Sequence, residues 1–204
     1  DERYSRVMAA ALHSAALHES FTQFDEAVGD FRLAEIAAVK LGNRDAQVNA
    51  IYGQAYVLFL AKRLPEVREQ GARALQLAQA AGSVAGVASS NVISGLEPFC
   101  TGDLAAARQR FEQAIPVLRQ RGPFKHCVDA VCFRGTLANQ RLDHEQANED
   151  LGWAYEKARE AGLTFDLLIA LFHRARTRAN QGRLFEASEM LKEAQRLAEL
   201  LLDA

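Results

Sequence analysis

Residues 102–123 read GDLAAARQRFEQAIPVLRQRGP, and the spacing within them decides the fold. Ala107, Phe111, Ala114 and Leu118 follow one another at steps of four, three and four, which places them on one face of a helix. Gly102-Asp103 supplies a turn and an N-cap before Leu104, and Gly122-Pro123 a stop after Arg121. A bounded helix over Leu104 to Arg121 is predicted.

The same face returns along the chain. Ala34, Ala74, Ala114, Ala154 and Ala194 are each 40 residues apart, as are Ala27, Val67, Ala107, Ala147 and Ala187, and as are Gly42, Gly82, Gly122 and Gly162. A bulky column of Phe31, Phe111, Leu151 and Leu191 lies between the alanine columns, with Gly71 as its exception. Five such units, about 1–43, 44–83, 84–123, 124–163 and 164–204, cover the 204 residues as a single repeat domain. In the last unit Leu168, Leu171, Phe172 and Ala175 are in helical phase up to Asn180. Gly182 follows, and then a second helix carrying Phe185, Ala187, Leu191, Ala194 and Ala198. Each unit therefore reads as a helical hairpin, and β-type alternation is absent, so the fold class is all-α with about ten helices. Small residues let neighbouring backbones approach while the bulky column fills the gap, so one hairpin buries its faces only against the next.

Composition removes several function classes. With 24 Lys and Arg against 26 Asp and Glu the net charge is −2, and no basic block marks a nucleic-acid footprint. No apolar run is long enough to span a bilayer, and Asp1-Glu2-Arg3 opens no signal-peptide core. Cys100, Cys127 and Cys132 have no CxxC spacing, so a reducing, cytoplasmic setting fits them and neither disulfides nor zinc do. No phosphate loop, dinucleotide fingerprint or His-Glu-x-x-His pair occurs among His13, His18, His126, His144 and His173, so no cofactor, metal or catalysis is expected. His126 and Cys127 are helix neighbours that point apart, and the thiols read as small apolar side chains.

The columns resemble the tetratricopeptide repeat. Its small first-helix position corresponds to Ala15, Ala55, Gly95, Gly135 and Ala175, with Ala27, Val67, Ala107, Ala147 and Ala187 twelve residues on. The period is 40 instead of 34, and Val39, Gln79, Arg119, Arg159 and Glu199 stand where a proline usually closes the second helix. Long repeats ending in a phrase such as Ala158-Arg159-Glu160-Ala161-Gly162 resemble the helical arms of bacterial signal-transduction ATPases and of transcription activators similar to the maltose regulator. Similar forty-residue repeats occur in kinesin light chains and cell-polarity adaptors.

The resemblance implies a right-handed superhelical solenoid whose first helices line a concave groove. It places Asn49, Tyr52, Tyr56, Phe59 and Leu60 of the second unit in that groove, with Leu96, Phe99 and Cys100 of the third. The fourth unit contributes Asp129, Cys132, Thr136, Asn139 and Gln140, and the fifth Phe172, Arg176 and Asn180. Rings beside amides suit a peptide or helix; the same rings also suit packing between helices. The expected function is a non-catalytic protein-interaction scaffold. The alternative is the sensor or regulatory arm of a multidomain signalling ATPase or transcription regulator.

Pro65 is expected at a helix start, and Pro98 and Pro116 inside helices of a bent third unit. The apolar finish Leu197-Ala198-Glu199-Leu200-Leu201-Leu202 lacks a polar cap, which leads to the expectation of a fragment of a longer protein or of pairing with a second copy through the terminal unit.

Overall fold

A computed structural model of the chain describes residues 23–202. Nine helices and no strand occur among them: α1 Phe24–Lys40, α2 Arg44–Leu60, α3 Leu64–Ala80, α4 Val84–Thr101, α5 Leu104–Arg121, α6 Phe124–Gln140, α7 His144–Ala161, α8 Thr164–Asn180 and α9 Leu184–Leu202. The all-α class follows, and α5 has the bounds read from its sequence. The first helix expected in the first unit, with His13, Ala15 and His18, lies outside the described residues, as do the side chains of Leu200 to Leu202.

Turns recur every 20 residues, half the sequence period. Gly42, Gly82 and Gly162 take φ of 65°, 65° and 68°, and the half-period positions Lys62, Gly102, Leu142 and Gly182 are left-handed as well. These residues close the preceding helix. Asn43 N–H donates to Ala38 O at 3.0 Å while Gly42 N–H donates to Val39 O at 3.0 Å, and the same pair of bonds recurs after α2, α3, α6, α7 and α8. Gly122 departs from its column, with φ −91° and ψ 172°. Pro123 follows it, and the proline ring drives the preceding residue into extended backbone. The next helices are started by Asn43, Ser83, Asp103 and Asp143, whose side chains accept from the N–H groups of Ala46, Gly86, Ala106 and Gln146. Pro65 sits in the first turn of α3, and Pro98 and Pro116 lie inside α4 and α5.

The chain forms two compact units, Asp1–Pro123 and Phe124–Ala204. In the first, α1 to α5 pack in chain order, and α2 also touches α4; in the second, α6 to α9 do the same, and α6 also touches α8. The alanine columns are buried throughout, from Ala27 and Ala34 to Ala187 and Ala194. Phe31 packs on Gly53, Phe111 on Gly95 and Leu151 on Gly135, so each bulky side chain lies where its neighbour has no Cβ. At the exception, Gly71, Ile93 reaches across, with its Cγ2 3.2 Å from where a Cβ would stand. Leu191 departs from the expectation for its column: it is exposed on α9, over which no further helix packs among the described residues.

Charged and polar pairs record the stacking of hairpins within each unit. Second helices meet 38 residues apart, through Glu35 and Arg73 in the first unit and Tyr155 Oη to Glu193 Oε1 at 2.9 Å in the second. First helices meet 41 apart, through Lys125 to Asp166 at 3.1 Å and Asn180 to Asn139 at 3.0 Å. No helix among the described residues is long and apolar enough to cross a membrane.

Candidate binding faces

The expected groove residues divide between the two units. In the first, Tyr52, Tyr56 and Phe59 recur at helical spacing along α2. Tyr52 and Tyr56 stack with centroids 6.4 Å apart, Phe59 lies 6.1 Å from Tyr56, and Phe99 of α4 lies 6.3 Å from Phe59. The Lys62 ammonium sits 5.3 Å from the Phe59 centroid. The rings are contiguous, as the phases require, but they are not open. Tyr52, Tyr56 and Phe59 are 3%, 5% and 7% exposed, because α2 is buried along almost its whole length. Asn49, Leu60, Phe99 and Cys100 are half-buried and Leu96 is buried.

In the second unit α6 and α8 run side by side. Lys125 Nζ bridges Asp129 at 3.2 Å and Asp166 at 3.1 Å, both carboxylates being buried. Cys132 lies close by. Burial, and after it the charges of Asp129 and Asp166, push its thiol far above the usual range, so it stays protonated. Burial, with Lys125 beside it, holds His126 well below the ordinary imidazole value and therefore neutral. Thr136 donates to Cys132 O at 2.9 Å. Asn180 Nδ2 donates to Asn139 Oδ1, while the buried Asn139 Nδ2 has no partner among the described residues. Phe172, Arg176 and Asn180, four residues apart on α8, are all exposed, Phe172 to 51%. Gln140 is exposed too.

A third arrangement was not anticipated. On the second-helix side of the first unit, Arg32, Glu35, Ile36, Val39 and Lys40 of α1 face Gln70 and Arg73 of α3 across a cleft of about 500 Å³, with Gln54 of α2 at its floor. Glu35 is buried and accepts from Gln54 Nε2 at 2.8 Å, from Gln47 Nε2 at 3.2 Å and from the Arg73 guanidinium. Burial works to raise the Glu35 pKa, but the hydrogen bonds from Arg73, Gln54 and Gln47 outweigh it and hold the carboxyl below its ordinary value. Arg73 also donates to Gln70 Oε1 at 2.8 Å, and Arg44 to Gln47 Oε1 at 2.9 Å. A sequence signal for this network exists. The 40-residue column of Glu35 continues as Leu75, Ile115, Tyr155 and Gln195, and that of Gln47 as Val87, Cys127 and Leu167. Two polar residues in mostly apolar columns meet each other.

No group of three or more His, Cys, Asp or Glu side chains among the described residues is placed to hold a metal ion. No family model matches the chain, and no curated protein matches it.

Proposed function

We propose that the chain is a non-catalytic interaction module of tetratricopeptide-like hairpins, a right-handed superhelical solenoid that holds a peptide or helical segment of a protein partner along its first helices, in a reducing, cytoplasmic setting. The observation that carries this reading is the exposed row Phe172, Arg176 and Asn180 on α8, with Asn180 tied to Asn139 of α6. An open ring gives contact area, a guanidinium takes a carboxylate or carbonyl, and an amide with spare donors pairs with peptide backbone. Both helices are held by neighbours before any partner arrives, so binding orders little of the protein. The contacts between like helices, 41 and 38 residues apart, favour the hairpin stacking that the reading needs.

The test is selection of peptides from a display library against the whole chain, followed by calorimetry on one purified peptide. Phe172→Ala and Arg176→Glu are each expected to weaken it about tenfold or more. Unchanged affinity in both variants overturns the proposal. The charged cleft at Glu35 favours a second reading, a sensor arm of a larger signalling ATPase or transcription regulator. The complete open reading frame tests it, through the presence of a nucleotide-binding or helix-turn-helix domain.

A further inference from the structure

We propose that the cleft between α1 and α3 binds a small organic oxyanion, a carboxylate or phosphate monoester carrying a compact apolar body. The inference goes beyond the groove and does not depend on it, since the cleft lies between the second helices α1 and α3 of the first unit, and α2 adds only Gln54 to its lining and Gln47 behind Glu35.

Charge decides the sign of the ligand. Arg32, Lys40 and Arg73 line the cleft with one carboxylate, Glu35; Arg73 pairs with that carboxylate, and the charge of Arg32 remains over even when Lys40 is left out of the count. That carboxylate is already committed: Gln47, Gln54 and Arg73 all donate to it, which spreads its charge and turns it inward. An incoming anion therefore meets an excess of positive charge, with the guanidinium of Arg73 fixed in place by Glu35 on one arm and Gln70 on the other. Guanidinium groups held in this way suit the flat, two-oxygen face of a carboxylate or phosphate.

Shape and chemistry decide the rest. About 500 Å³ falls in the range of small-molecule pockets and is too large for a bare inorganic ion. Ile36 and Val39, both about half exposed, give the cleft an apolar wall on α1. Such a wall is matched by a ring or short alkyl body, and the amides of Gln54 and Gln70 add polar contacts at the floor and the far side. Glu35 and Gln47 also stand in columns that are mostly apolar in the other units, Leu75, Ile115 and Tyr155 for the first and Val87, Cys127 and Leu167 for the second, although a well-packed apolar pair serves stability at least as well as a buried charge. A buried carboxylate that orients an arginine suits a binding site.

The experiment is calorimetric titration of the whole chain with phenyl phosphate, benzoate, inorganic phosphate, phenol and an N-acetylated tetraglutamate peptide. Phenyl phosphate or benzoate is expected to bind and to raise the thermal midpoint, and whichever is tighter identifies the oxyanion. Phenol and inorganic phosphate are each expected to bind at least tenfold more weakly than that anion. Arg32→Gln and Lys40→Gln remove one charge each without stranding Glu35, and each is expected to weaken the tighter anion about tenfold. Lys192→Gln, an exposed change on the second unit, is expected to leave that affinity unchanged. The proposal is overturned if neither aromatic anion binds, if both charge variants bind as the parent does, or if the acidic peptide binds more tightly than either small anion.

Discussion

A methyl group on Gly95 would stand 2.6 Å from Cε1 of Phe111, closer than any two side chains pack. The ring itself is fully buried in α5 against α4. Gly95→Ala is expected to destabilise the chain by about 1–2 kcal/mol, since overpacking outweighs the helix propensity that alanine adds. Gly152 in α7 has nothing within 4 Å of the same position, so Gly152→Ala is expected to stabilise by about 0.5–1 kcal/mol. Urea midpoints of the two variants, moving in opposite directions, check the pair; movement in the same direction would show that the small-against-large seam is not what holds α4 to α5.

Leu142 closes α6 in the left-handed region, at φ 59°, and is 67% exposed. A leucine gains nothing there and carries the steric penalty of its Cβ against the carbonyl. Leu142→Gly is expected to stabilise by about 0.5–1 kcal/mol, the relief being larger than the added unfolded-state entropy. A lower thermal midpoint in this variant would contradict the backbone assigned to the turn.

These turns show where the sequence is readable and where it is not. The 40-residue columns are legible because a small residue facing a large one is a local requirement repeated in every hairpin. The 20-residue turn is less legible, because Lys62 and Leu142 occupy left-handed positions where glycine is the signal, and Gly122 has the signal without the conformation. Among site residues, the contiguity of Tyr52, Tyr56, Phe59 and Phe99 follows from helical phase. Their burial does not, since it depends on how completely the rest of the fold wraps α2. The cleft at Glu35 rests on a partner 38 residues away, and a single charge on a helix reads as a solvated face until its column is compared with the other units.

Arg134 grips Asp150 with two hydrogen bonds of 2.8 and 2.6 Å, and Asp150 is 1% exposed. Removing the cation leaves a buried carboxylate unpaired, which is expected to cost about 3 kcal/mol in Arg134→Met. Replacing both partners, as in Arg134→Met with Asp150→Leu, is expected to cost clearly less than the two single changes added together. A double-mutant cycle by urea unfolding measures this, and strict additivity would mean that the pair is energetically idle.

His173 has its pKa lowered to about 4 by burial first and by Arg176 second. Its unfolded value is about 6.5, so below that pH the unfolded chain takes up a proton that the folded chain refuses. The stability tied to its neutral form is present in full above about pH 6.5 and is lost as pH falls toward the folded value. The parent is therefore expected to lose thermal stability between pH 7 and pH 4.5, and His173→Gln to lose less over the same interval. The remaining slope belongs in part to His126, which burial also keeps neutral. Equal slopes in parent and variant would place His173 in water.

Tyr52 and Tyr56 separate packing from recognition. Their rings stack within the first unit at exposures of 3% and 5%, whereas Phe172 stands half in solvent on the second. Truncating a buried ring costs about 3–5 kcal/mol, so Tyr52→Ala with Tyr56→Ala is expected to drop the thermal midpoint by more than about 10 °C. Any loss of binding in that variant would then report lost structure. Phe172→Ala, on an open surface, is expected to stay within about 0.5–1 kcal/mol of the parent while weakening the selected peptide. Circular dichroism melts of the two variants decide the matter: a Tyr52→Ala, Tyr56→Ala chain that melts with the parent and loses the peptide would move the binding surface from α8 to α2.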